Sequence, residues 1–177
     1  MPRARKRNAA PLTVSRPALL VDGSDAEFRA FIHDLIAYGH RLDACRGAFA
    51  AIAGVSAAQY EILMLVSRTD GMAVGEVAAR LHRSGAFITI ESGKLVERGV
   101  LQKAADPADG RRVLLQATRK SREILQRLAP YQVRINDVLF GHLGARHFRE
   151  VRALLREQLA SGDRAVALLD VLLQEAA

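Results

Sequence analysis

The stretch from Met72 to Thr118 constrains this chain most, because its apolar period switches from helix to strand within one short segment. In VGEVAARL, residues Val74, Val77 and Leu81 fall at i, i+3 and i+7, one stripe of a short helix. His82 to Gly85 breaks that pattern. Ala86 to Arg98 (AFITIESGKLVER) reads as a second helix, stopped by Gly99, with Lys94 and Arg98 in its last turns, where cations suit the carbonyl end. Val100–Ala104 and Val113–Ala117 are strand-like runs, separated by the charged, turn-forming loop ADPADGRR with Pro107 and Gly110. Two short helices at a tight turn, followed by a hairpin, make a winged helix-turn-helix. In that arrangement the second helix enters a major groove and the hairpin tip reaches flanking backbone or minor groove.

The rest of the chain must support this unit. A length of 177 residues predicts one domain, or one domain with appended helices. Half the residues are apolar, yet aromatics are 5% and Trp is absent, so the core must be mostly Leu, Val, Ala and Ile. The net charge of +7 points to a polyanionic partner. One cysteine excludes an internal disulfide and a four-cysteine zinc site. No nucleophile-elbow, phosphate-loop, zinc-protease or dinucleotide-binding pattern occurs, so the chain is not expected to be an enzyme or to carry a cofactor. The basic start MPRARKR is followed by a segment interrupted by Pro11, Arg16 and Pro17, which does not read as a secretory signal. No apolar run is long enough to span a membrane, and a cytoplasmic location is expected.

Residues 1–24 read as a basic flexible arm, with Arg3, Arg5, Lys6, Arg7 and Arg16 and no acid before Asp22. Such an arm is either a solvated tail or a sequence-blind phosphate contact. A long helix follows from Ser24 or Asp25 to about Ile52. Phe28, Leu35, Leu42 and Phe49 recur every seven residues, and Phe31, Tyr38, Cys45 and Ile52 follow three residues later. That is an a/d seam which must pack along another long helix, in this chain or in a partner. Cys45 sits in the seam as a small apolar residue, or as a thiol sensor should Arg41 and Arg46 lower its pKa. His33 and His40 lie opposite the seam, on a face expected to be solvated. Gly54 ends this helix, and Ser56 with Gln59 opens the next through a capping box. Tyr60, Leu63 and Met64 mark one face of this second helix, while Ile62, Leu65 and Val66 make it apolar on most sides, as a buried helix is. Thr118 caps a further helix in which Pro130 either makes a kink or starts a new segment. From Ala145 a final helix runs to about Ser161-Gly162, with a last apolar stretch beyond. So many leucines on one terminal segment would leave a large apolar patch on a monomer, and a twofold dimer is the natural cover.

The segments VSAAQYEILMLV, VGEVAARL, KLVERGVLQKAADPADGRR and LQATRKSREIL follow in the order and spacing of MarR-type transcriptional regulators. The resemblance covers about residues 25–175, and its most specific piece is the D-P-x-D-x-R-R wing after V-E-R-G-V. It implies a mostly α fold with a small β-hairpin wing: a winged helix-turn-helix at 56–118 and a helical dimerisation lobe from 25–55 and 119–177. It also implies a homodimeric repressor on an inverted-repeat operator in double-stranded DNA, in which Arg111 enters the minor groove and Asp109 orients it, with Arg112 beside them.

The chain departs from the family pattern in several places. Ala73 stands where Thr or Ser often caps, so Glu76 is expected to lack its capping-box partner. His82 replaces a frequent turn glycine, and Glu91 and Ser92 lie where an apolar residue is commoner. The DNA-facing candidates of the second helix are Arg83, Ser84, Gly85, Phe87, Thr89, Ile90 and Lys94, with Ile88 and Leu95 turned inward. The resemblance further implies a small aromatic or phenolic acid effector between the first long helix and the Ser56 helix. There Tyr38, Arg41, Arg46, Tyr60 and Met64 offer the stacking faces and guanidinium forks such an acid needs. Two other readings stay open, a redox-sensing repressor acting through Cys45 and an architectural DNA binder with no effector.

Overall fold

In a computed structural model of the chain, residues 11–109 and 112–176 are described. The chain divides into two compact units, Met1–Arg127 and Leu128–Ala177.

The first unit is built around α2 (Ala57–Val66). Ser56 opens it through the expected box: the Gln59 amide donates to Ser56 Oγ, and Gln59 Oε1 accepts from the Ser56 amide, both at 3.2 Å. Its Tyr60, Ile62, Leu63 and Val66 are buried. Before it runs α1 (Ala26–Ala53), which stops where Gly54 turns left-handed at φ 71°, a conformation without penalty only for glycine. After it come β1 (Met72–Ala73), α3 (Val74–Leu81), α4 (Gly85–Glu97), β2 (Leu101–Ala105) and β3 (Val113–Ala117). The strands form an antiparallel sheet in the order β1-β3-β2.

That sheet enlarges the expected two-stranded wing. Met72 pairs with Leu115 and Ala73 with Leu114, so a third strand braces the hairpin where it meets the helices. Two residues are too few to show a strand period, and their partner lies more than forty residues away, so the local pattern carried no trace of β1. Gly71, at φ 154°, leads into it, and a side chain there would meet Leu114 at 3.1 Å. Around this frame Ile62, Leu63, Val77, Ile88, Leu95, Val100, Leu101 and Leu115 are fully buried. Each contributes roughly 1.5–3 kcal/mol relative to exposure. Ile88 and Leu95 face inward as predicted, which fixes the opposite face of α4 toward solvent.

The segment expected to be a flexible arm is different in its second half. Residues 1–10 lie outside the described residues, but Pro17–Leu19 makes a 3-10 turn and Val21 pairs with Ser24. Thr13 donates from both its amide and its hydroxyl to Asp25 Oδ2 at 2.7 Å. Arg29 pairs with Asp25 at 2.9 Å and donates to the Pro11 carbonyl at 2.8 Å. Arg29 foremost, then Thr13, hold the Asp25 carboxyl well below the usual carboxylate range. The acid at the N-cap of α1 thus ties down the chain that precedes it.

The helix α5 (Arg119–Phe140) crosses from the first unit to the second without ending at Pro130. Thr118 caps it, with its Oγ1 accepting from the Ser121 amide at 3.3 Å. In the second unit, α6 (Ala145–Glu175) is one helix of 31 residues. The break expected at Ser161-Gly162 does not occur, because one interior glycine costs only about 1 kcal/mol against alanine. No residue of α6 is buried, and Leu154, Leu155, Leu159, Leu168, Leu169 and Leu172 are all exposed. On α1 the seam residues Phe31, Leu35, Leu42 and Ile52 are exposed as well. Among the described residues no single helix is long and apolar enough to cross a membrane.

Candidate nucleic-acid interface

The turn before α4 decides where its side chains point. His82 takes the left-handed conformation at φ 48°, where a glycine is commoner, and ends α3. The Arg83 amide then donates to the Ala78 carbonyl at 3.0 Å. Ser84 is the N-cap, its Oγ accepting from the Phe87 amide at 3.2 Å. At the start of α3, Ala73 has no side-chain oxygen to give. The expectation that Glu76 is left without a partner is only half met, since Glu76 Oε2 accepts from the Ala73 amide at 3.0 Å.

From this turn α4 presents Gly85, Phe87, Thr89, Ile90 and Lys94 outward, all exposed, with Arg83 and Ser84 at its mouth. Thr89 donates to the Gly85 carbonyl at 2.8 Å. The guanidinium of Arg83 lies over the Phe87 ring, 5.6 Å from its centroid, a cation–π arrangement. Lys94 pairs with Glu91 at 2.5 Å. Glu91 also accepts from the Gln59 side chain at 3.0 Å, which joins α4 to α2. Lys94 foremost, and Gln59 with it, hold the Glu91 carboxyl below its ordinary value. Gln59 and Glu91 are the residues that sequence reasoning missed. The sequence marks Gln59 only as a cap and Glu91 only as a departure from the family pattern. The other departure, Ser92, is buried and turns its hydroxyl back to the Thr89 carbonyl at 3.3 Å, so a small polar residue fits the close packing there.

In the wing, Arg112 lies 3.6 Å from Glu76 and 3.7 Å from Asp106 and ties the hairpin to α3. Its amide donates to the Asp109 carbonyl, and the Asp106 amide donates to the Arg112 carbonyl, each at 2.9 Å. Asp109 is exposed at the tip, while Arg111 lies outside the described residues. At the hinge, Arg98 donates to the Gly54 carbonyl at 2.7 Å and Lys120 to the Arg98 carbonyl at 2.8 Å, which binds the ends of α1, α4 and the start of α5.

Among the described residues, Tyr60 and Met64 share one cavity, while Arg41 and Arg46 are engaged elsewhere. Arg46 pairs with Glu61 at 2.6 Å and with Asp43 at 3.1 Å. Arg41 folds back on the Ala37 carbonyl at 2.7 Å. Tyr38 is exposed, and Tyr60 is buried with its ring 6.3 Å from that of Phe49. Tyr60 and Met64 do line a shallow cavity of about 310 Å³ with Glu61, Leu65, Arg68 and Leu81. A larger open cleft of about 760 Å³ is lined by Ala53, Gly54, Arg98, Lys120, Glu123 and Arg127, among others, and takes in none of the five. Cys45 is half-buried.

Residues 53–112 match the model of the family described as MarR family. No curated protein sequence matches the chain. Among solved structures, the chain is similar to a MarR transcriptional regulator from Methanosarcina mazei at 22% identity and a TM-score of 0.61, covering 76% of this chain and 98% of that one. It is similar to CouR from Rhodococcus jostii, solved bound to p-coumaroyl-CoA, at 21% identity and a TM-score of 0.67, covering 75% and 94%. The transcriptional regulator BldR from Sulfolobus solfataricus matches at 19% identity and a TM-score of 0.61, covering 78% and 99%. Likeness at these identities shows a shared fold.

Proposed function

Since the chain belongs to the MarR family of winged helix-turn-helix, DNA-binding transcriptional regulators, we propose that it acts as a homodimeric repressor on an inverted-repeat operator. The family consists of regulators rather than enzymes. The observation that carries the reading is the outward face of α4, held rigid from behind by buried Ile88, Ser92 and Leu95 and flanked by the wing. Two such helices from one dimer meet successive major grooves, so the half-sites lie about 10 bp apart. Arg83, Ser84, Gly85, Phe87, Thr89, Ile90 and Lys94 face base edges and phosphates. Asp109, Arg111 and Arg112 belong to the wing contact, where a narrow minor groove attracts arginine. Support for the dimer comes from α6, whose 31 residues include none that is buried.

Release by a small aromatic acid is the finer part of this reading. CouR was solved with p-coumaroyl-CoA, an aromatic acid thioester, and has the same fold. In this chain the residues best placed for such a ring are Tyr60 and Met64 in their shared cavity. Its volume of about 310 Å³ is at the low end of ligand pockets.

The test is sequencing of the DNA fragments captured by the full chain, followed by an anisotropy titration of the recovered operator. An inverted repeat bound by a dimer is expected, with Arg111→Ala weakening binding and flattening its salt dependence. Absence of any enriched sequence overturns the operator reading. A thermal-shift screen of aromatic acids and p-coumaroyl-CoA tests the effector. A compound that raises Tm and releases DNA supports it, and an architectural binder takes its place when none does both.

A further inference from the structure

Arg83 differs from Lys94 and Arg112. Lys94 is held by Glu91, and Arg112 by Glu76 and Asp106. Among the described residues no carboxylate pairs with Arg83, and its guanidinium rests on the Phe87 ring instead. Both ends of this stack are fixed by backbone. The Arg83 amide is bound to the Ala78 carbonyl at 3.0 Å, and the Phe87 amide to the Ser84 N-cap at 3.2 Å. Phe87 nevertheless leaves 36% of its surface open, at the mouth of the helix. The pair therefore offers one planar, charged donor fork and one apolar face, pre-positioned 5.6 Å apart.

Those two chemistries match two major-groove features. A guanidinium fork fits guanine O6 and N7, and an apolar side chain fits the thymine methyl. Neighbouring base pairs are about 3.4 Å apart, so probes at this separation, short of two steps, can fall on adjacent pairs. Resting on the ring, the guanidinium presents its N–H edge in one plane, as a bidentate contact requires.

We propose, building on the operator reading above, that Arg83 and Phe87 read a guanine and an adjoining thymine as one unit in each half-site. Phe87 is the positioning residue for the Arg83 contact as well as the methyl contact. A good bidentate pair discriminates by about 5- to 150-fold. Loss of one methyl's burial costs about fourfold.

The experiment uses the full chain and the operator its own fragment capture yields. In separate oligonucleotides the thymine is replaced by uracil, which lacks the methyl, and the guanine by 7-deazaguanine, which lacks N7. The wild type is expected to lose about fourfold to uracil and at least fivefold to 7-deazaguanine. Phe87→Ala should be blind to uracil and also less sensitive to 7-deazaguanine, because the fork has lost its platform. Phe87→Leu, which keeps an apolar contact but no ring face, should stay sensitive to uracil while its 7-deazaguanine effect shrinks. Arg83→Ala should ignore 7-deazaguanine. An operator in which no guanine adjoins a thymine overturns the pairing while the regulator reading stands. So does an unchanged 7-deazaguanine effect in both Phe87 variants. A chain that selects no sequence at all overturns the operator reading itself.

Discussion

Glu91→Gln separates the two jobs that α4 has, holding on to α2 and facing DNA. Glutamine keeps the shape and keeps an oxygen to accept from Gln59, now at 3.0 Å, but it removes the charge that pairs Lys94 at 2.5 Å. The ion pair is an i,i+3 contact with Lys94 52% exposed, so its loss costs about 0.3–0.5 kcal/mol. For a chain of this length that lowers Tm by about 1–2 °C. The effect on DNA has the opposite sign. Lys94 becomes available to neutralise one more phosphate in each half-site, two per dimer, which steepens the slope of log K against log salt by about 1.8. Between 50 and 200 mM salt, that change in slope corresponds to about a twelvefold greater loss of affinity, with tighter binding at the low-salt end. The assay is an anisotropy titration of the operator at several salt concentrations, run beside a thermal melt. A slope that stays the same or flattens, with Tm nearly unchanged, refutes the placement of Lys94 toward the phosphates. A fall in Tm of more than about 5 °C refutes the claim that the carboxylate matters only as a charge.

Four further outcomes are expected. Asp25→Ala should free residues 11–24, and cleavage by chymotrypsin after the exposed Leu19 should become faster than in the wild type. Acid should do the same: a carboxylate with a depressed folded pKa gives stability that is full above its unfolded value of about 3.9 and lost as pH falls through the folded one, so the Thr13 amide should stay protected from hydrogen exchange at pH 6 and lose that protection only in strong acid. Ser121→Ala should lower stability by about 2 kcal/mol, or Tm by about 4–8 °C, because Ser121 is fully buried and its Oγ donates to the Val100 carbonyl while accepting from the Thr118 amide. A loss below about 0.5 kcal/mol in urea unfolding contradicts that. Leu168→Glu with Leu172→Glu should turn the dimer into a monomer in sedimentation and abolish operator binding, since both leucines are exposed on α6. A wild-type chain that is already a monomer and binds DNA tightly removes the basis for this.

What the sequence showed and what it hid divide along a physical line. Features written in a local period were legible. Val74, Val77 and Leu81 marked α3, Ile88 and Leu95 marked the inner face of α4, and Ser56 with Gln59 marked the start of α2. His82 announced its left-handed turn because few other residue types tolerate one. Contacts between residues far apart in the chain were not legible. β1 exists because Leu114 and Leu115 come to Met72 and Ala73 from more than forty residues away. Arg46 looked like an open fork for a carboxylate ligand, but Glu61, on the next helix, supplies a carboxylate from within the chain. Glu91 looked like a defect in a recognition helix until Gln59 was placed opposite it. These last cases share one consequence. Lys94, Arg112 and Arg46 are paired within the chain, whereas the stacked guanidinium of Arg83, at the mouth of α4, has no carboxylate beside it among the described residues. The net +7 therefore describes how strongly the chain is drawn to a polyanion, while sequence choice rests on the groups that the fold places to meet base edges.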